Sequence, residues 1–571
     1  MRLHISKSKN SASLYVIKSV YNPKTQSNSS VIVEKLGTET ELREKLNGQD
    51  PYVWAKAYIK ELNEMEKEVS SHVMVKYSPT KLIPREKQRS FNGGYLFLQK
   101  IYHELGLDAV CQAIAERHHF GYSLDSILSR LLYGRILFPG SKRSTFQLAS
   151  TFLEPPVFEI QHIYRSLEVI AKESDFIQSE LYHNSLKVSK RNTGVLYYDC
   201  TNYFFEIEQE AGLKQYGYSK EHRPNSIVQM GLFMDGDGIP LAFSMSKGNT
   251  NEQLILKPLE QMILKDFQLS KFVVCTDAGL SSAQNRKFND QGGRAFITTQ
   301  SVKKLKKHLK EWALSTTGWH LSGDIKSYDL SALDEAHWDH TFYKERWINE
   351  NGLEQKLIVT FSLKYRDYQR KIRNGQIERA LETIETNPAK MKKSHSNDYK
   401  RFIEKTSVTP HGEVADQHLY RLDEKDIEEE ERYDGFYAVC TNLEDEAAEI
   451  IKVNHRRWEI EECFRIMKSE FKARPVYLSR DDRIEAHFIT CFITMVMYRY
   501  LEKRFQNRFT CSEIIQGLRS LNFLELPGEG YVPAYTRTDF TDALHETFGF
   551  RTDYQIIKNK QMKKIFQDTR S

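Results

Sequence analysis

The sequence predicts an α/β protein in which one core of strands and helices is interrupted by a β-containing insertion and flanked by mainly helical regions. Three observations predict it. Apolar runs between Val195 and Thr299 follow the order β-β-β-α-β-α-β. Residues 95–187 carry apolar side chains every three or four positions, the period of helices packed on a core. Past residue 300, β-leaning and charged helical stretches intervene before a further apolar strand, Phe436 to Cys440, resumes the core.

The elements follow in order. Two β-leaning runs, Leu14 to Val20 and Val31 to Lys35, flank the turn-rich segment Asn22 to Asn28 and predict a hairpin. A charged helix over about Tyr52 to Val69 and a basic linker, Lys81 to Arg89, complete a first region, 1–90. Region 91–190 is helical. Within it a Pro-Gly stop and Ser141 separate two helices, with Arg135, Lys142 and Arg143 clustered there. Helix-turn-helix contact with DNA is one reading, helix packing with a solvated basic cap the other.

Region 191–300 holds strand Val195 to Asp199, then Ile227 to Met234 and Ile239 to Met245 joined by the turn Asp235-Gly236-Asp237-Gly238. A helical pattern from Glu252 to Phe267 leads to strand Phe272 to Thr276, ending in Asp277, and a short strand Ala295 to Thr299. Region 301–433 reads as the insertion, with β-leaning runs His340 to Ile348 and Gln355 to Leu363 and a charged helix Tyr365 to Ile384. Region 434–508 returns to the core and carries a helix through Glu461, and 509–571 is a tail.

A chain of 571 residues exceeds one core, and ordinary domain sizes imply roughly three to four. Lys and Arg (82) nearly balance Asp and Glu (77), so net charge neither requires nor excludes a polyanionic partner and local patches decide. The longest apolar stretch, Phe488 to Tyr498, is too short to span a bilayer, and the first residues lack a signal-peptide run. Seven scattered cysteines without a C-x-x-C pair predict reduced core thiols, neither a disulfide framework nor a zinc knuckle.

Three carboxylates carry the chemistry: Asp199 and Asp277 at the ends of apolar strands, and Glu461 on a helix. Acids of this kind, converging from distant positions, make the oxygen cage that paired divalent ions need to flank a phosphodiester. At about 100° per residue, Arg457, Glu461 and Lys468 fall within about 40° of one another, beside an apolar stripe of Ile460, Cys463, Phe464, Met467 and Phe471. A metal-binding carboxylate between two phosphate-binding cations has this layout. A solvated helix with intrahelical pairs fits less well, because Arg before Glu is the weaker orientation and seven residues is too far for a pair.

The strand order, with acids on the first and fourth strands, resembles the ribonuclease-H-like fold. Asp199 in Tyr198-Asp199-Cys200-Thr201, Asp277 in Thr276-Asp277-Ala278-Gly279-Leu280, and Glu461 resemble the DDE triad of insertion-sequence transposases. Arg457, Glu461 and Lys468, spaced R-x3-E-x6-K, resemble the YREK signature of that superfamily, whose members carry a β-rich insertion between the second Asp and the Glu. The tyrosine of that signature is replaced by Asn454.

The resemblance implies a catalytic core holding two Mg²⁺ ions, with Mn²⁺ able to substitute, on Asp199, Asp277 and Glu461, and DNA phosphates on Arg457 and Lys468. It further implies cleavage at transposon inverted repeats, joining of 3′ ends to target DNA, action as a dimer on double-stranded DNA, and a cytoplasmic, nucleoid-associated protein without a membrane. Two rivals are a metal-dependent nuclease that cuts without joining, and a non-catalytic DNA-binding protein. Secondary candidates are the loop Tyr218 to Arg223 as a DNA grip, the lysines between 303 and 310 as a DNA-facing or solvated run, and His487 as a core-edge histidine. Trp319, Trp338 and Trp347 could stack a flipped base, though burial in the insertion's own core is expected of each.

Overall fold

A computed structural model describes the chain except residues 9–10, 23–26, 47, 72, 74, 76, 207–208, 281, 387–397 and 409–413. The chain divides into two compact units, residues 1–87 with 526–531, and 88–525 with 532–571.

The first unit is built on an antiparallel sheet of Arg2–Lys7, Ala12–Asn22 and Ser27–Thr38. The predicted hairpin is there, with an additional strand on its edge; most of its turn lies outside the described residues. Helix Pro51–Ser71 follows, and Leu14, Leu42 and Ala55 form the small core.

In the second unit, helices α1 (Leu124–Leu137), α2 (Lys142–Ala149) and α3 (Ile160–Lys172) belong to the helical region. Ser141 caps α2 by accepting from the Ser144 amide at 3.1 Å, as its place after Pro-Gly predicts.

The sheet that follows has ten strands. In chain order they are β1 (Val195–Phe204), β2 (Ile227–Asp235), β3 (Pro240–Lys247), β4 (Val273–Thr276), β5 (Ala295–Gln300), β6 (Trp319–Leu321), β7 (Ser327–Tyr328), β8 (Phe342–Glu350), β9 (Leu353–Phe361) and β10 (Phe436–Thr441). Across the sheet they run β7-β6-β8-β9-β10-β5-β4-β1-β2-β3. Only β1, β4 and β5 are parallel neighbours; the remaining pairs are antiparallel. The β2–β3 turn tightens because Asp235 accepts from the amides of Asp237 (3.0 Å) and Ile239 (2.9 Å), while Gly238 takes φ +78°.

The strands between residues 319 and 361 do not make a sheet of their own. They continue the main sheet through β10, which pairs antiparallel with β5 on one side and β9 on the other. Their core gathers Trp319, Phe342, Leu357 and Val359 with Phe296 of β5 and Ala438 of β10. Trp319 is buried as expected; Trp338 (40% exposed) and Trp347 (44%) are not, because both lie off the face that meets this core.

Helices complete the layers: α4 (Leu256–Asp266), α5 (Ala283–Asn289), α6 (Ala447–His455), α7 (Trp458–Ser469) and α8 (Asp481–Arg504). Alternation along β1 splits its side chains between two faces. Leu196, Tyr198 and Cys200 pack with α4, whereas Tyr197 bonds to the Val453 carbonyl of α6 and Tyr203 meets Met467 of α7 and Phe488 of α8. Asp199 and Thr201 share the second face by the same alternation. Helix α8 is apolar nearly all round, as a helix enclosed by others must be. Among the described residues no helix is long and apolar enough to cross a membrane. All seven cysteines are free, six of them buried.

Candidate active site

Register brings the first two acids together. In the parallel pair β1–β4, Tyr198 is opposite Thr276, so the next residue on each chain, Asp199 and Asp277, emerges on neighbouring strands about 4.8 Å apart. The expectation that β1 ends at Asp199 is not met: the strand continues to Phe204, because Asn202 to Phe204 keep pairing with β2. Asp199 is therefore mid-strand and Asp277 just past a strand end. Mid-strand placement encloses the carboxyl: burial pushes Asp199 up to about 6, against the opposing pull of Lys220, the Cys200 amide (2.8 Å) and Arg457, and with a further push from Asp277.

Glu461 arrives on α7. Helix α6 ends at His455, and after Arg456 and Arg457 the chain re-enters a helix at Trp458, so Arg457 stands at the start of α7 with Glu461 one turn on. The Arg457 guanidinium lies 3.8 Å from the Asp277 carboxylate and 3.3 Å from that of Glu461. Its side chain is 18% exposed, against 46% for Asp277 and 56% for Glu461. Burial works against its charge, and Asp277, Tyr437, Glu461 and Asp199 outweigh that burial and raise it above the ordinary arginine range.

Lys468, two turns along the same stripe, donates to Thr201 Oγ1 at 2.7 Å, two residues past Asp199 on the same face of β1. Burial pulls its ammonium down to about 8, with Lys220 adding to the effect. The segment Tyr218 to Arg223 is folded against this region. Asn202 holds it through the Tyr218 carbonyl (3.1 Å) and the Lys220 amide (3.3 Å), Lys220 donates to the Cys200 carbonyl, and Glu221 pairs with Lys468 (3.6 Å) and with Arg474.

The residue at the signature's tyrosine position has a visible alternative partner. Asn454 is buried and donates to the Tyr437 hydroxyl at 3.0 Å, and that hydroxyl also meets Thr299 Oγ1 at 2.7 Å. Tyr437, on β10, lines with Arg457, Trp458 and Glu461 an open cavity of about 400 Å³. Sequence spacing along α6 and α7 could not reveal a phenol supplied from another strand.

Two carboxylates side by side, one of them with its proton affinity raised by burial, could hold a hard divalent cation in the proton's place. As they stand, no three acidic, histidine or cysteine side chains among the described residues lie close enough to hold one ion, and Glu461 is instead paired with Arg457. His487 is buried, and its Nε2 meets the Ala473 carbonyl at 3.1 Å, as a packed histidine does. Lys303 and Lys306 of the lysine run pair with Glu430 (3.7 Å) and Glu350 (3.9 Å).

The model of the transposase DDE domain family matches residues 203–497, more than half of the sequence, and the chain belongs to that family. The matched segment contains Asp277 and Glu461 and begins just after Asp199. No curated protein matches the chain. Among solved structures it is similar to the piggyBac transposase in a synaptic complex with hairpin DNA, at 8% identity, with 85% of this chain and 86% of that one covered and a TM-score of 0.34. It is also similar to the Mos1 transposase in a paired-end complex with the left transposon end, at 10% identity, with 41% and 65% covered and a TM-score of 0.13. Scores this low define neither a shared fold nor a shared site.

Proposed function

We propose that the chain is a transposase that binds insertion-sequence ends, cleaves phosphodiester bonds there and joins the 3′ ends to target DNA. Asp199, Asp277 and Glu461 are the catalytic acids in this reading. The observation that carries it is the side-by-side placement of Asp199 and Asp277 on parallel strands, with Glu461 brought to them through Arg457. The order β3-β2-β1-β4-β5 within the sheet supports a ribonuclease-H-like core, and the strands on the far side of β5 would then be the insertion between the second Asp and the Glu.

Two Mg²⁺ ions bound to the three acids would supply the activated oxygen nucleophile and neutralise charge on the departing oxygen. The protein's own part is positional. Asp199, fixed by the Cys200 amide within β1, and Asp277, just past the end of β4, present oxygens, while α7 presents Glu461. Arg457 can grip a phosphate through two N–H groups, and Lys468 can act as a point charge nearer Thr201. Both would hold the DNA backbone without reading its sequence. Engagement of two ends implies at least a dimer on double-stranded DNA, working in the nucleoid.

The test is direct. Asp199→Ala should still bind a terminal-repeat duplex while losing Mg²⁺-dependent cleavage; retained cleavage would overturn the assignment of the triad. A precleaved end with a free 3′-hydroxyl, offered with plasmid target, should give joined product. Cutting without joining would leave only a nuclease.

A further inference from the structure

Between the end of α1, the start of α2 and the segment that follows α7 lies a cavity of about 250 Å³, several times the ~30 Å³ share of one water. Lys142 and Arg135 line its buried part, 5% and 4% exposed, and Lys472 and Tyr477 form its exposed rim. Among the described residues no acid lines it. The sequence leaves these bases either in a helix-turn-helix DNA contact or in a solvated helix cap; the structure encloses Lys142 and Arg135, because α2 folds back on α1 and both are covered by the chain after α7.

The two buried cations differ in how they are satisfied. Arg135 donates through Nη1 to the carbonyl of Phe471 at 3.1 Å, just beyond the last turn of α7. The ammonium of Lys142 is buried with no hydrogen-bond partner among the described residues. A buried cation without a carboxylate or carbonyl is costly unless an anion shares its site or it gives up its proton. The wall also includes Gly140, Ser141 and Lys142, hence the start of α2, the helix end that attracts anions. His487 does not supply a negative or a further positive charge, since burial and the two cations keep it neutral, well below the usual histidine range.

We infer that this pocket is a phosphate-binding site, in which Lys142 is the buried ligand and the start of α2, Lys472 and Arg474 complete the cradle. The phosphate has two possible sources, the backbone of a DNA duplex or a free phosphate ion. DNA is favoured by continuity with the acids: Arg474 pairs with Glu221, Glu221 with Lys468, and Lys468 with Thr201 on the strand of Asp199. The DNA source rests on the proposed function; the phosphate site itself does not.

The experiment compares wild type with Lys142→Met and Lys142→Gln, each checked for folding by circular dichroism. Inorganic phosphate, against chloride at equal ionic strength, should raise the melting temperature of the wild type saturably and leave both variants unmoved. Equal stabilisation of all three would overturn the site. Binding of a terminal-repeat duplex is then followed against salt. Use of the pocket by DNA predicts that a plot of log affinity against log salt is shallower by about 0.9 in Lys142→Met, because that variant neutralises one phosphate fewer. An unchanged slope with phosphate stabilisation intact would assign the site to free phosphate and overturn the DNA source. Failure of cleavage by the wild type would count against the transposase reading and leave the phosphate arm standing.

Discussion

The two ends of α7 gather charge of opposite sign. Around its start stand Asp199, Asp277 and Glu461, with Arg457 among them; beyond its end lie Arg135 and Lys142, with no acid beside them among the described residues. The helix dipole favours this arrangement at both ends, yet its effect is limited to about 0.3–1 kcal/mol at each and cannot offset the enclosure of a charge. The acidic end supplies its own counter-charge in Arg457 and retains an unbalanced surplus. At the basic end Arg474 pairs with Glu221, while Arg135 and Lys142 have no acid beside them among the described residues. The lesson is that enclosure, more than charge count, marks what each end recruits: Asp199 is pushed up to about 6 and Lys142 pulled down to about 7, the first by burial against nearby cations, the second by burial reinforced by Arg135.

The largest effect should separate the ends by activity. Asp199→Asn keeps the shape of the side chain and removes its charge, and should lower cleavage of a terminal-repeat duplex by more than about 100-fold, beyond the loss typical of a residue that only supports a metal ligand. Lys142→Met should act chiefly on binding, weakening affinity for the duplex, with a far smaller loss of rate at saturation than Asp199→Asn. If Lys142→Met were as inactive as Asp199→Asn, the division between a chemical end and a binding end would fail.

Stability should separate them by the sign of its pH dependence. Lys142 has a folded value of about 7 against an ordinary 10.5, so between those values the unfolded chain binds more protons and stability rises with pH; the cost is fully present below 7. Lys142→Met should therefore be more stable than wild type at pH 6, by about 1–4 kcal/mol, with the gap closing toward pH 10. Asp199 is the mirror case. Its folded value of about 6 exceeds the ordinary 3.8, so the folded chain binds more protons in that window, stability falls as pH rises through it, and the cost is full above 6. Asp199→Asn should gain about 3 kcal/mol at pH 7.5 and nothing at pH 3. Denaturant melts of both variants across pH, without divalent ions, check the two slopes; slopes of the same sign would refute the comparison.

The acidic end was largely legible in the sequence and the basic end was not. Apolar runs that lead into Asp199 and Asp277 are local signals, and helical spacing places Arg457, Glu461 and Lys468 on one stripe without knowledge of their partners. What no local pattern holds is which strands are neighbours. The β8 and β9 runs read as part of a β-containing insertion, since pairing of β10 with β5 joins residues about 140 apart in sequence and pairing with β9 residues about 80 apart. Nothing in the sequence marks Lys142 as enclosed, whether read in a helix-turn-helix contact or a solvated cap, for the same reason: its enclosure is made by residues after α7, remote in sequence. Trp338 and Trp347 fail as core residues because aromatic composition does not specify the face of a strand or turn.

The smallest effect tests the substitution within the acidic end itself. Asn454 stands where the signature has tyrosine, and Tyr437 brings a hydroxyl to the same neighbourhood from β10, bonded to Asn454 Nδ2 and Thr299 Oγ1. Tyr437 is also among the groups that favour the charged form of Arg457, so loss of its hydroxyl should loosen Arg457 without removing any of the three proposed catalytic acids. Tyr437→Phe leaves the buried Asn454 amide short of an acceptor and should cost about 1 kcal/mol of stability. Cleavage should fall by less than about 10-fold, the equivalent of the same 1 kcal/mol or so, and phosphate stabilisation at Lys142 should not change. If the hydroxyl only braces Asn454 and does nothing for Arg457, Tyr437→Phe will lower the melting temperature and leave the cleavage rate at saturating duplex untouched. A loss of rate as deep as that of Asp199→Asn would instead move Tyr437 from a positioning residue into the catalytic set.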